Sequence, residues 1–122
     1  MTQYVDGFLL PVPKDKIEAY KSLALKAADV WMEHGALAYW ENIEDDLSMD
    51  GMSFRKCAEA KEDEVVAFSW VVYPSRESRD HIMAAVMSDP RLQDNSDMPF
   101  DMKRMAYGGF KPLVAIEKDE SN

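Results

Sequence analysis

Residues 65–73 read Val-Val-Ala-Phe-Ser-Trp-Val-Val-Tyr, nine positions without a charge, closed by Pro74. β-branched and aromatic residues in such a run specify a strand. Side chains along a strand alternate between the two faces of its sheet. One face here carries Val65, Ala67, Ser69, Val71 and Tyr73; the other carries Val66, Phe68, Trp70 and Val72. Neither set suits water, so the strand must be covered on both sides. Any fold for this chain has to supply two covers.

The flanking pattern supplies one of them. Residues 4–12 read as a first strand, in which Gly7 permits a bulge or a close approach and Pro11 belongs near the end. Pro13 can open a helix, because the first helical N–H needs no partner. Ile17, Tyr20, Ala24, Ala27, Ala28 and Trp31 fall on one face at helical spacing, with Leu23 and Val30 to one side. His34 and Gly35 end that helix, glycine being suited to the left-handed residue that follows a helix. Residues 36–43 form a second strand candidate, and 44–52 an acidic loop. Ser53 can cap a short helix to about residue 60.

After the long strand, Ser75 caps a second long helix whose inner face is Ile82, Ala85 and Val86 and which Pro90 stops. Residues 90–103 read as a loop. Residues 105–117 read as a last strand, interrupted by Gly108-Gly109 and Pro112, and 118–122 as a polar tail. Residues 1–117 therefore form a single domain. The order strand, helix, strand, strand, helix, strand is that of a ferredoxin-like α+β sandwich with an antiparallel sheet. Two helices cover one sheet face only. A second copy is the simplest cover for the other, which predicts a homodimer with its sheets face to face.

A chain of 122 residues suits one domain, and 47% hydrophobic residues are enough for a core. The net charge of −9 argues against nucleic acid and against anionic membrane surfaces as partners. One cysteine, Cys57, cannot make an intrachain disulfide. The N-terminal residues lack the basic and apolar regions of a signal peptide, and no apolar run approaches the roughly 18 residues of a membrane span. A cytoplasmic protein is expected.

Several longer runs carry a family resemblance. The opening YVDGFLLPVPKDK, the helix end VWMEHGAL, the strand VVAFSWVVYPSRESRD, the run MSDPRL and the segment MPFDMKRMAYGGF together resemble the YbaA-like family of small bacterial proteins. The resemblance runs from about residue 4 to 114. It implies a dimeric α/β barrel, a ferredoxin-like protomer paired sheet to sheet. It implies no reaction, substrate or catalytic residue. The wider set of proteins with that fold spans monooxygenases, isomerases, cyclases and ligand-binding modules, a breadth that decides no chemistry.

The chemical motifs are few. Asp46, Ser48, Asp50 and Gly51 imitate the start of a calcium loop, but its twelfth position, which needs a glutamate, is Cys57. A solvated acidic loop fits better. Cys57 stands beside Arg55 and Lys56, which could activate it, although a small buried apolar role is commoner and is expected here. His34 and His81 have no metal-ligand spacing, and no phosphate loop or nucleophile elbow is present. No metal or cofactor is expected. The double glycine reads as a bulge or a place where a neighbour's backbone comes close.

What remains is a set of polar and aromatic residues that could line a cleft for a small organic molecule: Tyr39, Glu41, Trp70, Asp101 and Arg104, with Ser69, Tyr73 and Tyr107 beside them. Glu41 or Asp101 would be the base of any proton abstraction. Packing and dimer contacts are the commoner explanation of the aromatics, and Asp101 with Arg104 reads first as a structural ion pair. Two functions follow: a dimer binding a small organic molecule, or a structural or interaction dimer without a ligand.

Overall fold

The structure is a computed structural model and describes residues 3–47, 52–93 and 98–118. Four strands, β1 (Tyr4–Pro13), β2 (Ala38–Ile43), β3 (Glu64–Tyr73) and β4 (Ala106–Phe110), make one sheet in the order β2-β3-β1-β4. All three pairings are antiparallel. Two long helices, α1 (Ile17–Glu33) and α3 (Arg76–Ser88), pack on one side, and a one-turn helix α2 (Phe54–Cys57) lies in the β2–β3 connection. This is the ferredoxin-like α+β sandwich expected from the element order. The long run is one of the two inner strands, which is why it carries no charge between residues 65 and 73.

The two helix starts use local chemistry visible in the sequence. Ser75 Oγ accepts a 3.0 Å bond from the Ser78 amide, and Ser53 Oγ a 3.2 Å bond from the Lys56 amide. Gly35 follows the α1 cap residue His34 at φ +117°, a left-handed conformation in which a side chain would be strained.

Register fixes which side of each strand the helices cover. Ala67, Ser69, Val71 and Tyr73 are buried beneath α1 and α3 together with Tyr4, Leu10 and Val12 of β1. From the helices come Ala27, Val30, Trp31, Ile82 and Val86. Each fully buried Val or Leu contributes about 1.5–3 kcal/mol of apolar transfer. Val30 is therefore core, where the sequence pattern had set it beside the main stripe: the helix lies close enough to the sheet that its packed face is wider than the alanine row. Phe68, Trp70 and Val72 point to the opposite side.

Four further expectations change. The first helix begins with a 3-10 turn at Lys14–Lys16 rather than at Pro13. The last strand stops at Phe110, and residues 111–118 continue without strand pairing. Pro112 cannot donate to a ladder, and among the described residues no neighbouring strand lies on that side of β4. Cys57 is exposed, and the next residue, Ala58, occupies the buried position instead. Gly109 admits a side chain, not a backbone: a Cβ there would fall within 2.6 Å of Tyr4 Cε2, because the Tyr4 ring crosses the glycine. The loop 90–103 also contains 3-10 turns at Pro90–Leu92 and Met102–Arg104.

Candidate functional site

A cleft of about 390 Å³ opens between α1 and β2. Its floor follows from alternation along β2, which sends Tyr39, Glu41 and Ile43 toward the helix. Its roof follows from helical spacing, which brings Ile17, Tyr20, Ala24 and Ala28 over them. The two alanines keep the roof thin, so space remains where larger residues would have filled it. Most of the lining is apolar.

The polar exceptions are Lys21, Asn42 and Glu41, and of these Glu41 is the one held by the tyrosines. Its Oε1 accepts a 2.7 Å bond from the Tyr20 hydroxyl and its Oε2 a 2.8 Å bond from the Tyr39 hydroxyl. Both tyrosines are held from behind. The Tyr20 ring meets Phe100 edge-on at 5.7 Å, and the Tyr39 ring tilts against Trp31 at 5.8 Å. Burial first, and the Glu41 charge second, push both phenols far above their ordinary range. Both therefore remain donors at any physiological pH. Each carboxylate oxygen keeps a second acceptor direction for a ligand N–H or O–H.

The structure brings Tyr39 and Glu41 together and places the other candidates elsewhere. Trp70 is on the opposite sheet face, stacked on Trp40 with centroids 5.6 Å apart and planes at 15°, and edge-on to Phe68. Arg104 and Asp101 sit at the turn before β4. Arg104 Nε donates to Asp101 Oδ2 at 3.1 Å, and its two terminal nitrogens grip Glu64 at 2.7 Å each. That grip holds the Glu64 carboxyl down at about 2. Arg104 also donates to the Glu59 carbonyl at 2.9 Å. The group ties the chain around α2 to the end of β3, an ion pair with a structural task.

Tyr20 was counted in the helix stripe and not as a site residue. The available signal was Glu41 itself: a carboxylate at an inward strand position requires donors from the element above it. A second polar group was also hidden. Asp6, buried in β1, accepts from the Tyr73 hydroxyl at 2.8 Å and from Arg79 Nη1 at 2.9 Å, while Trp31 Nε1 donates to the Tyr73 oxygen at 3.0 Å. The Arg79 guanidinium also lies 4.9 Å over the Tyr4 ring. Its Nε lies 3.0 Å from Asp80 Oδ1 without the alignment of a hydrogen bond. This chain of bonds joins β1, β3, α1 and α3.

His34 Nε2 lies 3.1 Å from Asp89 Oδ2, and Arg91, which also binds Asp89, holds that carboxyl well below its usual range. His81 is exposed. Among the described residues no three His, Cys, Asp or Glu side chains are grouped as metal ligands. The Ser48, Asp50 and Gly51 part of the calcium-like stretch lies outside the described residues. No helix among the described residues is long and apolar enough to cross a membrane.

Comparison with known proteins agrees with this architecture. A sequence model of DUF1428, described as a protein family of unknown function, matches residues 3–102. The uncharacterized protein YbaA of Escherichia coli strain K12 is 47% identical over 115 residues, covering 92% of this chain and 97% of that one. The YbaA of Shigella flexneri matches equally. Among solved structures, a variant of SnoaB, a cofactor-independent oxygenase from Streptomyces nogalater, superposes with a TM-score of 0.58 at 11% identity, covering 97% of this chain and all of that one. A dimeric ferredoxin-like protein from an uncultured marine organism gives 0.57 at 15% identity, with the same coverage. At these identities the likeness is one of fold.

Proposed function

This chain belongs to DUF1428, a family of proteins of unknown function, and on that premise we propose that it is a homodimer that binds a small organic molecule in the cleft between α1 and β2. The observation that carries the ligand is Glu41, a carboxylate fixed by two tyrosine hydroxyls in a mostly apolar cleft whose lining also includes Lys21 and Asn42. Such a site suits an apolar molecule bearing one N–H or O–H donor: the walls take the hydrocarbon and the carboxylate orients the donor. The same carboxylate is positioned to act as a base toward an acidic C–H of the bound molecule. The likeness to the oxygenase is one of fold and supplies no part of this reading.

The dimer rests on the sheet face away from the helices. Trp40, Phe68 and Phe110 are 54%, 44% and 64% exposed there. Gly7 pairs with both Trp70 and Gly108, which leaves a strip without side chains in the middle of the face. The Phe110 ring lies along that strip, 3.7 Å from where a Gly7 Cβ would be. A flat aromatic surface of this kind suits a copy of itself related by a two-fold axis.

Thermal-shift screening of a library of small organic molecules against the wild-type chain and Glu41→Gln tests the ligand. Compounds that stabilise the wild type and lose at least tenfold in affinity against Glu41→Gln are expected. No stabilising compound, or binders indifferent to Glu41, would overturn the ligand reading and leave the aromatic face, hence an interaction dimer, as the function.

A further inference from the structure

The cleft between α1 and β2 holds a second charge beside Glu41. Lys21 lines it on the α1 side and is the one cation among the described lining residues. It is exposed and has no ion pair or hydrogen bond within the described residues. The third polar lining residue, Asn42, donates its side-chain amide to the Phe68 carbonyl at 3.0 Å. Tyr20 and Lys21 are consecutive on α1, so they stand about 1.5 Å apart along the helix axis and about 100° apart around it. Tyr20 turns inward to bond Glu41, and Lys21 turns toward the mouth. Tyr20 meets Glu41 and Trp31 meets Tyr39, so α1 runs opposite to β2 and Lys21 stands at the level of Glu41. From that level Ala24 and Ala28 continue the roof for about 10 Å.

The geometry points to an apolar 2-hydroxy acid as the ligand, with Glu41 taking the hydroxyl and Lys21 reading the carboxylate beside it. The inference rests on the cleft proposed above as the binding site and names the chemical class that it takes. The ligand O–H bonds the free acceptor direction of Glu41 at the inner end. The carboxylate, one carbon away, faces outward at the same level, where the Lys21 ammonium meets it. The hydrocarbon runs beneath Ala24 and Ala28. A hydroxyl suits the inner end better than an ammonium, whose remaining donors would be left unpaired among mostly apolar walls. A cation is needed at the mouth: Glu41 is negative and the whole chain carries −9, so an anion in the cleft is repelled unless a positive group lies beside it. Lys21 can supply that group because its apolar stem can lie along the rim while the ammonium keeps contact with both ligand and water. The contact is partly solvated, so it discriminates charge and contributes modestly to affinity.

Calorimetric titration of the full chain with matched probes tests this. Two are 2-hydroxy acids of different shape, 3-phenyllactate and 2-hydroxyoctanoate. Each is paired with its primary amide, which keeps the hydroxyl and lacks the charge. 3-Phenylpropanoate keeps the charge and lacks the hydroxyl. The wild type is expected to bind at least one of the two acids, about fivefold more tightly than its amide, and 3-phenylpropanoate at least tenfold more weakly than 3-phenyllactate if that is the acid bound. In Lys21→Met the order of acid and amide should reverse, because the repulsion from Glu41 is then uncompensated; Lys21→Arg should restore it. Raising the salt to about 0.5 M should narrow the wild-type preference, and Glu41→Gln should weaken acid and amide alike. Equal binding of acid and amide by the wild type, or a preference that survives in Lys21→Met, overturns the inference, while Glu41-dependent binding of both leaves the cleft reading in place. Failure of both acids to bind overturns the inference as well, and the library screen against Glu41→Gln then decides the cleft reading separately.

Discussion

On the helix side of the sheet, the buried polar groups Asp6, Tyr73 and Trp31 are bonded within their own chain. Asp6 is bound by Tyr73 and Arg79, and Tyr73 in turn by Trp31, so the charge is enclosed and compensated. On the other side the same strands carry Trp40, Trp70 and Phe68, whose rings touch one another, and Phe110, with Trp40, Phe68 and Phe110 open to solvent. Residues adjacent in sequence are divided between these two environments: Ser69 is buried, and its neighbour Phe68 is 44% exposed. Folding alone completes one face. The other has the composition of a core with one wall missing.

The largest expected effect is on the completed face. Asp6→Ala leaves Arg79 without its main counter-charge and the Tyr73 hydroxyl without its acceptor inside the core. It should lower stability by about 3 kcal/mol, measured by urea unfolding; a loss below about 1 kcal/mol would mean that the bond chain contributes little. Gly109→Ala forces a methyl into the Tyr4 ring, over which the Arg79 guanidinium lies at 4.9 Å. A loss of about 2 kcal/mol is expected, and Tyr4→Ala in the same chain should relieve the clash component in a double-mutant cycle.

The third effect sharpens the comparison, because Glu64 lies on the side away from the helices but at the end that α2 and the turn before β4 cover. Arg104 holds its carboxyl at about 2, against an ordinary value of 4.5. A folded value below the unfolded one means that ionised Glu64 stabilises fully above pH 4.5 and that the contribution is lost as the pH falls toward 2. Glu64→Gln should cost about 1–2 kcal/mol at neutral pH, and the gap from wild type should narrow across that acidic window. A gap that is constant with pH would assign the effect to shape and not to charge.

Most of the fold was legible because it rests on periodicity. The charge-free run of β3, the alanine-rich stripe of α1 and the caps Ser53, Ser75 and Gly35 each carry a local physical signal. The site was legible in part. Tyr39 and Glu41 were singled out as polar residues on a strand, and they meet in the cleft. Trp70 and the pair Asp101–Arg104 could not be separated from them, since assigning them to different places requires knowing which face of β3 the helices cover and how the 90–103 loop returns. Asp6, Tyr73 and Arg79 span 73 positions of sequence, and a bond that depends on tertiary register leaves no local pattern. The end of the last strand was misplaced for a related reason: residues 111–118 have strand composition, and no partner strand among the described residues.

The central claim is that the aromatic face is completed by a second copy. Light scattering at micromolar concentration, on the wild-type chain and on Trp70→Lys, tests it most directly. The wild type is expected at twice the 13.9 kDa of one chain, and Trp70→Lys at the mass of one chain with unchanged far-ultraviolet circular dichroism, since that side chain lies outside the helix-covered core. A wild-type mass of 13.9 kDa would contradict the account.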